Sequence, residues 1–194
     1  MSIKDAIEKI VVSDDIESCH FAAYRVLNQI NSLGYQVLGP DQVIEIPVKS
    51  ILEEPNVIED LQNRHVQTDK EALGITSLLK AKNRAKYHLE MIDFDCEPSE
   101  DNLEMVQRTL LDLRTGIGYI VNSGGGFHFY GKNRYGEREL KRFLERIERK
   151  PFVDEKWPEN QIMQGMCVLR VTASKEKPFE PVVVAEYNPQ LSFF

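Results

Sequence analysis

The sequence predicts an α+β fold in which helices cover one face of a mainly antiparallel sheet. The first observation behind this is order. From residue 87 onward the apolar patterns run strand, helix, two strands, helix, strand, strand, which is a segregated α+β arrangement rather than alternating βαβ units. The second is size: a chain of 194 residues, 42% of them hydrophobic, buries roughly 70% of its unfolded surface and needs no disulfides to hold a core. The third is that no internal repeat or low-complexity segment interrupts the chain.

Residues 14–33 read as a helix. Ser13-Asp14-Asp15 offers N-caps, apolar residues recur at Ile16, Cys19, Ala23, Val26, Leu27 and Ile30, and Gly34 ends the run. Residues 35–38 and 43–48 read as short strands divided by Gly39-Pro40-Asp41, and residues 55–79 as broken helix. Residues 1–79 are thus expected to form a mixed helical and strand extension packed on a main domain of residues 80–194, or the whole chain a single compact domain. In that domain residues 87–95 are a strand. Pro98-Ser99-Glu100-Asp101 opens a helix to about Arg114, with Leu103, Val106, Leu110 and Leu113 on one stripe, and Gly116 and Gly118 end it. Residues 119–122 and 127–130 are strands around Gly124-Gly125-Gly126, and residues 136–149 a helix. The stretch after Pro151 reads as a loop, followed by strands at 167–172 and 182–187 with a turn at 175–178 between them.

Formal net charge is −7, from 31 acidic against 24 basic side chains, and the pI is about 5.2, which argues against a simple DNA-coating protein. The excess is uneven. Residues 1–79 carry 13 acids and 6 bases, whereas residues 80–194 carry 18 of each. Within the neutral part, Lys80, Lys82, Arg84 and Lys86 form one basic stretch. Residues 132–150, with eight bases against four acids, form a second, and residues 87–131 between them are net −6. That layout suggests inward-facing acids flanked by bases, although solvated surface charge is the commoner explanation for any one run. The chain lacks a run of 18 apolar residues, so no transmembrane helix is expected, and its polar start is unlike a signal peptide. Cys19, Cys96 and Cys167 are far apart with no CxxC pair. Reduced thiols in a cytoplasmic protein are therefore expected, rather than a zinc ribbon or a disulfide scaffold.

Four segments carry chemistry. Asp93 and Asp95 end a strand, where residues i and i+2 share a face. Two such carboxylates repel unless a cation lies between them, and Mg²⁺ or Mn²⁺ prefers hard oxygen ligands of this kind; two exposed acids before a helix are the plain alternative. Ser123-Gly124-Gly125-Gly126-Phe127-His128 brings bare backbone N–H groups near a ligand. With the Ser123 hydroxyl and His128 it suits a triphosphate, or else is a glycine-rich hairpin followed by a core histidine. It is neither a P-loop nor GxGxxG. Phe152-Val153-Asp154 supplies a third acid for a two-metal site if it reaches the first two. Arg170 lies on a strand followed by Thr172, Ser174, Lys175 and Lys177, a set able to clamp phosphates or simply to form a solvated turn.

Taken together and in this order, the four segments resemble the archaeo-eukaryotic primase superfamily, in particular its primase–polymerase branch, over roughly residues 87–187. That family has an apolar strand ending in DxD or DxE, a serine- and glycine-rich segment ending in histidine, an apolar pair with an acid, and a strand with arginine and a following lysine. The resemblance implies an RRM-like sheet. It implies that Asp93, Asp95 and Asp154 are catalytic acids holding two divalent metals, Mg²⁺ or Mn²⁺. It also implies that Ser123, Gly125, Gly126 and His128 contact the incoming triphosphate, with Arg170 and Lys177 as further contacts. Where the family's last segment usually has proline–glycine and asparagine, this chain has Thr172-Ala173 and Glu176. Glu186, which also ends an apolar strand, is a second choice for the third acid.

The function this implies is a DNA primase or primase–polymerase transferring nucleotides from NTP or dNTP on a single-stranded DNA template. Lys82, Arg84, Lys141 and Arg142 are expected on the template backbone, and a helicase or other replication protein as a partner. The alternative is a catalytically degenerate relative that binds nucleotide or serves as a replication accessory. A replication-initiator nuclease needs a histidine pair and a helical tyrosine, but His128 is single and Tyr130 lies on a predicted strand.

Overall fold

The structure, a computed structural model, describes residues 1–25 and 42–191. Its first elements are α1 (Ile3–Val11), β1 (Ile16–Arg25), β2 (Gln42–Pro47), α2 (Val48–Glu53), α3 (Val57–His65) and β3 (Glu71–Ala81). There follow β4 (Lys86–Phe94), α4 (Glu100–Asp112), β5 (Gly118–Asn122), β6 (Phe127–Tyr135), α5 (Glu137–Ile147), α6 (Trp157–Gln164), β7 (Val168–Arg170) and β8 (Val182–Tyr187). Among the described residues every strand pairing is antiparallel. One sheet runs in the order β2-β1-β3-β4-β6-β5-β8, with β7 attached to β3. The class is the α+β architecture the sequence predicts. No helix among the described residues is long and apolar enough to cross a membrane.

The feature that positions the site is a fork at β3. On one side β3 pairs with β1 from Glu71 to Ala81. On its other side, Leu78–Lys80 pair with the start of β4, while Gly74–Thr76 pair with β7. Beyond the fork β4 pairs with β6 instead. Ser77 sits at the branch and ties both arms. Its N–H donates to the Cys167 carbonyl at 2.8 Å, its hydroxyl accepts from Cys167 N–H at 3.0 Å, and the same oxygen lies 3.0 Å from His88 Nδ1. The sheet therefore splays open between the C-terminal end of β4 and β7, and a cleft lies in that opening.

Several predicted elements appear as expected. Helix α4 starts at Ser99, whose Oγ accepts from Asn102 N–H at 3.2 Å, β8 and α5 fall within the expected spans, and β5 begins at Gly118, one residue before its expected start. α5 buries Leu140, Phe143, Leu144 and Ile147. Tyr135 links it to β4, stacking on Phe143 at 5.1 Å and donating to Glu90. Since Glu90 and Asp93 point to opposite faces of β4, α5 lies behind the cleft.

Other expectations are corrected. The described part of the predicted helix 14–33 is the strand β1. It lies inside the sheet, so residues 18–23 are all buried and show no strand alternation. Its polar residues are paired: Ser18 donates to Glu45, and His20 Nδ1 lies 3.1 Å from the Leu78 carbonyl. The predicted strand at 35–38 lies outside the described residues. Residues 55–79 are helical only through His65, after which the leucine- and alanine-rich run is β3, held as a strand by three neighbours. The predicted loop after Pro151 contains α6, and the polar start of the chain is the amphipathic α1. α1 is closed by a capping box between Ser2 and Asp5 and buries Ile3, Ala6, Ile7, Ile10 and Val11.

Candidate active site

The acids are collected by strand ends. Residues 152–154 cross the end of β4: Asp95 N–H donates to the Phe152 carbonyl at 2.7 Å and Asp154 N–H to the Asp93 carbonyl at 3.1 Å, with Phe94 bridging Val153. Asp93, Asp95 and Asp154 thereby line one cleft together. Glu186, the second choice for the third acid, opens instead onto a separate groove beside α4. The same cleft is lined by Ser123, Gly125, Gly126 and Lys177, and by His128, Arg170 and Tyr24.

Two of the three glycines are required by geometry. A Cβ on Gly126 would lie 2.1 Å from the Phe94 carbonyl oxygen, so the turn packs directly on the end of β4. Gly124 has φ of +90°, a conformation that favours glycine. A Cβ on Gly125 would meet only Lys177 Nζ, at 3.5 Å, so that backbone faces the cleft beside an ammonium group. Ser123 closes the turn, its N–H and Oγ both donating to the Gly126 carbonyl at 2.9 and 3.1 Å. Arg170 ties this turn to the loop after β7. It donates to the carbonyls of Thr172, Lys177 and Phe179 at 2.8, 3.3 and 2.8 Å, and to that of Ser123. Its guanidinium thus holds the glycine turn and the loop after β7 together while placing a positive charge beside both.

Burial, reinforced by the charges of Asp154 and Asp95, pushes the Asp93 carboxyl up to about 7 despite the opposing pull of Lys177 and Arg170. Burial, then the nearby Arg170 charge, drives the His128 imidazole down to about 3, so it is neutral. Its Nε2 is 3.6 Å from Asp93 Oδ1. Tyr130 donates its only proton to the Arg170 carbonyl at 3.1 Å and lies 3.3 Å from His128 Nδ1.

A buried carboxyl whose proton affinity is raised further by two neighbouring carboxylates belongs to a donor set suited to a hard divalent cation. Asp93, Asp95 and Asp154 fit Mg²⁺ or Mn²⁺ in that respect. Among the described residues, however, no three acid, histidine or cysteine side chains converge at metal-holding spacing. One Asp154 oxygen instead accepts from the N–H groups of Lys156 and Trp157 at 2.9 and 2.8 Å, fixing the start of α6.

The structure does not gather every predicted residue. Lys82 and Arg84 are exposed in the β3–β4 turn, at the other end of β4 from Asp93, roughly 20 Å away along the strand. Lys141 and Arg142 are exposed on α5, behind the cleft. Conversely, Tyr24 of β1 and Trp157, Asn160, Gln161 and Gln164 of α6 line the cleft without having been singled out in the sequence. The available signal was Asp154 followed by Pro158 in the first turn of a helix.

A family model described as archaeo-eukaryotic primase 1D-like (AEP-like) matches residues 53–181, about two thirds of the chain. That span contains every residue placed around the cleft except Tyr24. No curated protein matches the chain. With the sequence match and the cleft falling on the same residues, the chain belongs to the archaeo-eukaryotic primase-like family and is, at family level, a primase-type nucleotidyltransferase.

Proposed function

We propose that this protein is a template-directed primase or primase–polymerase that transfers nucleotides from NTP or dNTP. The observation that carries this reading is the convergence on one cleft of three acids, Asp93, Asp95 and Asp154, with the bare glycine backbone of Gly125 and Gly126 and the ammonium group of Lys177. Asp93, Asp95 and Asp154 would hold Mg²⁺ or Mn²⁺. When bound, the ion supplies an activated hydroxyl and charge neutralisation at the triphosphate and the leaving pyrophosphate. The glycine N–H groups and Lys177 bind phosphate oxygens, and Arg170 keeps both loops in place while adding positive charge. His128 contacts the triphosphate from the wall shared with Asp93. Lys82, Arg84, Lys141 and Arg142 supply template contacts from surfaces outside the cleft. Single-stranded DNA is the proposed template, and a helicase or other replication protein the proposed partner.

The test is incorporation of labelled nucleotide on a primed and an unprimed template with Mg²⁺ or Mn²⁺. Wild-type protein is expected to extend or initiate a strand, and Asp93→Ala to lose that activity. Folded wild-type protein that incorporates nothing with either metal sinks the reading. The commitment of one Asp154 oxygen to α6, with no three-ligand cluster among the described residues, favours a second reading, a nucleotide-binding relative without turnover. Calorimetric nucleotide binding together with absent incorporation would select it.

A further inference from the structure

Beside the acid- and glycine-lined chamber lies a second one, and the two share a wall made of Tyr24, Asp93, His128 and Arg170. Their volumes are about 170 and 180 Å³. Each alone is below the roughly 300 Å³ at which small-molecule sites begin, while together they reach it. Their linings differ in kind. The first offers glycine backbone, Lys177 and carboxylates. The second is walled by one stripe of α6: Trp157, Asn160, Gln161 and Gln164.

Those positions are i, i+3, i+4 and i+7, the stripe that in an ordinary amphipathic helix is apolar and faces the core. Here it carries an indole and three carboxamides. Gln161 is 5% exposed, and its Oε1 accepts from Val168 N–H at 2.8 Å, which fixes the amide in one orientation against β7. Carboxamides both donate and accept, as nucleobase edges and sugar hydroxyls do, and an indole offers a flat apolar face. The start of the stripe is set by Asp154, whose carboxylate holds Trp157 N–H.

We propose that the second chamber holds the nucleoside half of the incoming nucleotide, its base and sugar read by the Trp157–Gln164 stripe, while the triphosphate occupies the first. This rests on the nucleotide-transfer reading above and goes further by dividing the ligand between two chambers and assigning α6 a reading role. It also brings in Tyr24, from outside the family-matched span, as part of the wall between the two halves.

The experiment is calorimetric binding of two probes to the full chain with Mg²⁺: inorganic tripolyphosphate and a mixture-free nucleoside triphosphate tested one at a time. Asn160→Leu, and separately Trp157→Phe as a milder change, are compared with Lys177→Ala, folding being checked by circular dichroism. The expected result is that Asn160→Leu weakens the nucleoside triphosphate by roughly tenfold, the loss of about one well-made polar contact, and leaves tripolyphosphate unchanged. Trp157→Phe shifts only the nucleoside triphosphate, in the same direction, and Lys177→Ala weakens both. Equal effects of the α6 variants on both probes, or none on either, overturn the assignment. A wild-type chain that binds neither probe removes the nucleotide reading itself, whereas differential binding with no incorporation keeps the chamber and removes only polymerisation.

Discussion

At the scale of single residues, Asp93 sets the pH behaviour. Its carboxyl is raised to about 7, chiefly by burial, so the metal-free folded state holds this proton more tightly than the unfolded chain does. The stability it contributes is fully present below the ordinary carboxylate range near pH 4 and is lost as pH rises through about 7. Denaturant midpoints of the metal-free protein should fall between those limits, and Asp93→Asn should flatten that part of the profile. A divalent ion competes with the same proton. Its apparent affinity should therefore rise by up to about tenfold per pH unit below 7 and level off above, as titration at several pH values would report. The glycines separate contact from chemistry. Gly126→Ala forces a Cβ to 2.1 Å from the Phe94 oxygen and should cost about 1–3 kcal/mol as an overpacked site. Gly125→Ala meets only ordinary contact and should stay within about 0.5 kcal/mol of wild type by thermal melting. These residues were legible because strand alternation puts Asp93 and Asp95 together and a glycine run marks close backbone approach. Tyr24 was not legible: its place in the cleft depends on β1 being a strand beside β3, where a Cβ on Gly74 would meet the Tyr24 ring at 2.8 Å.

At the scale of elements, α6 joins the acid rim to the second chamber, and Asp154 serves both. Asp154→Asn keeps an oxygen for the Lys156 and Trp157 N–H groups but removes the charge. Asp154→Ala removes both. The asparagine variant should melt close to wild type yet lose incorporation, while the alanine variant should lose about 1 kcal/mol more in stability, the usual net worth of a lost hydrogen bond. Equal melting of the two would deny Asp154 its part in starting the helix. Behind the cleft, Tyr135 donates to Glu90, a fully buried carboxyl that also accepts from Gly116 N–H at 2.9 Å. Tyr135→Phe should therefore cost about 1–2 kcal/mol in denaturant unfolding. Legibility at this scale followed burial. α4, α5 and β8 have one wet side, so their periodicity survives in the sequence. β1 and much of β3 are buried on both faces, and a run such as Cys19–Ala23 then matches helix and strand spacing alike. α6 was missed for the opposite reason, since its inward stripe is polar and a helix search looks for an apolar one.

At the scale of the molecule, the acidic N-terminal stretch and the neutral remainder share one sheet and one core. The boundary between residues 79 and 80 falls inside β3, and β1 pairs with that strand along its length. Leu73, Ile75 and Leu79 are buried in the same core as Phe21, Ile7 and Ile10. A fragment of residues 53–194 would retain nearly all of the family-matched chemistry but would leave one edge of β3 without a partner and part of its core face in water. Each exposed leucine or isoleucine forfeits roughly 1.5–3 kcal/mol, so three of them forfeit about 4.5–9 kcal/mol, comparable with the lower part of the about 5–15 kcal/mol by which a domain is normally stable. The N-terminal elements are in this view as necessary to the cleft as the acids are. The full chain should unfold in one cooperative transition, and the fragment should show none, with weak near-ultraviolet circular dichroism and no nucleotide binding. A cooperative, nucleotide-binding fragment would instead make residues 1–52 an accessory to a self-sufficient core.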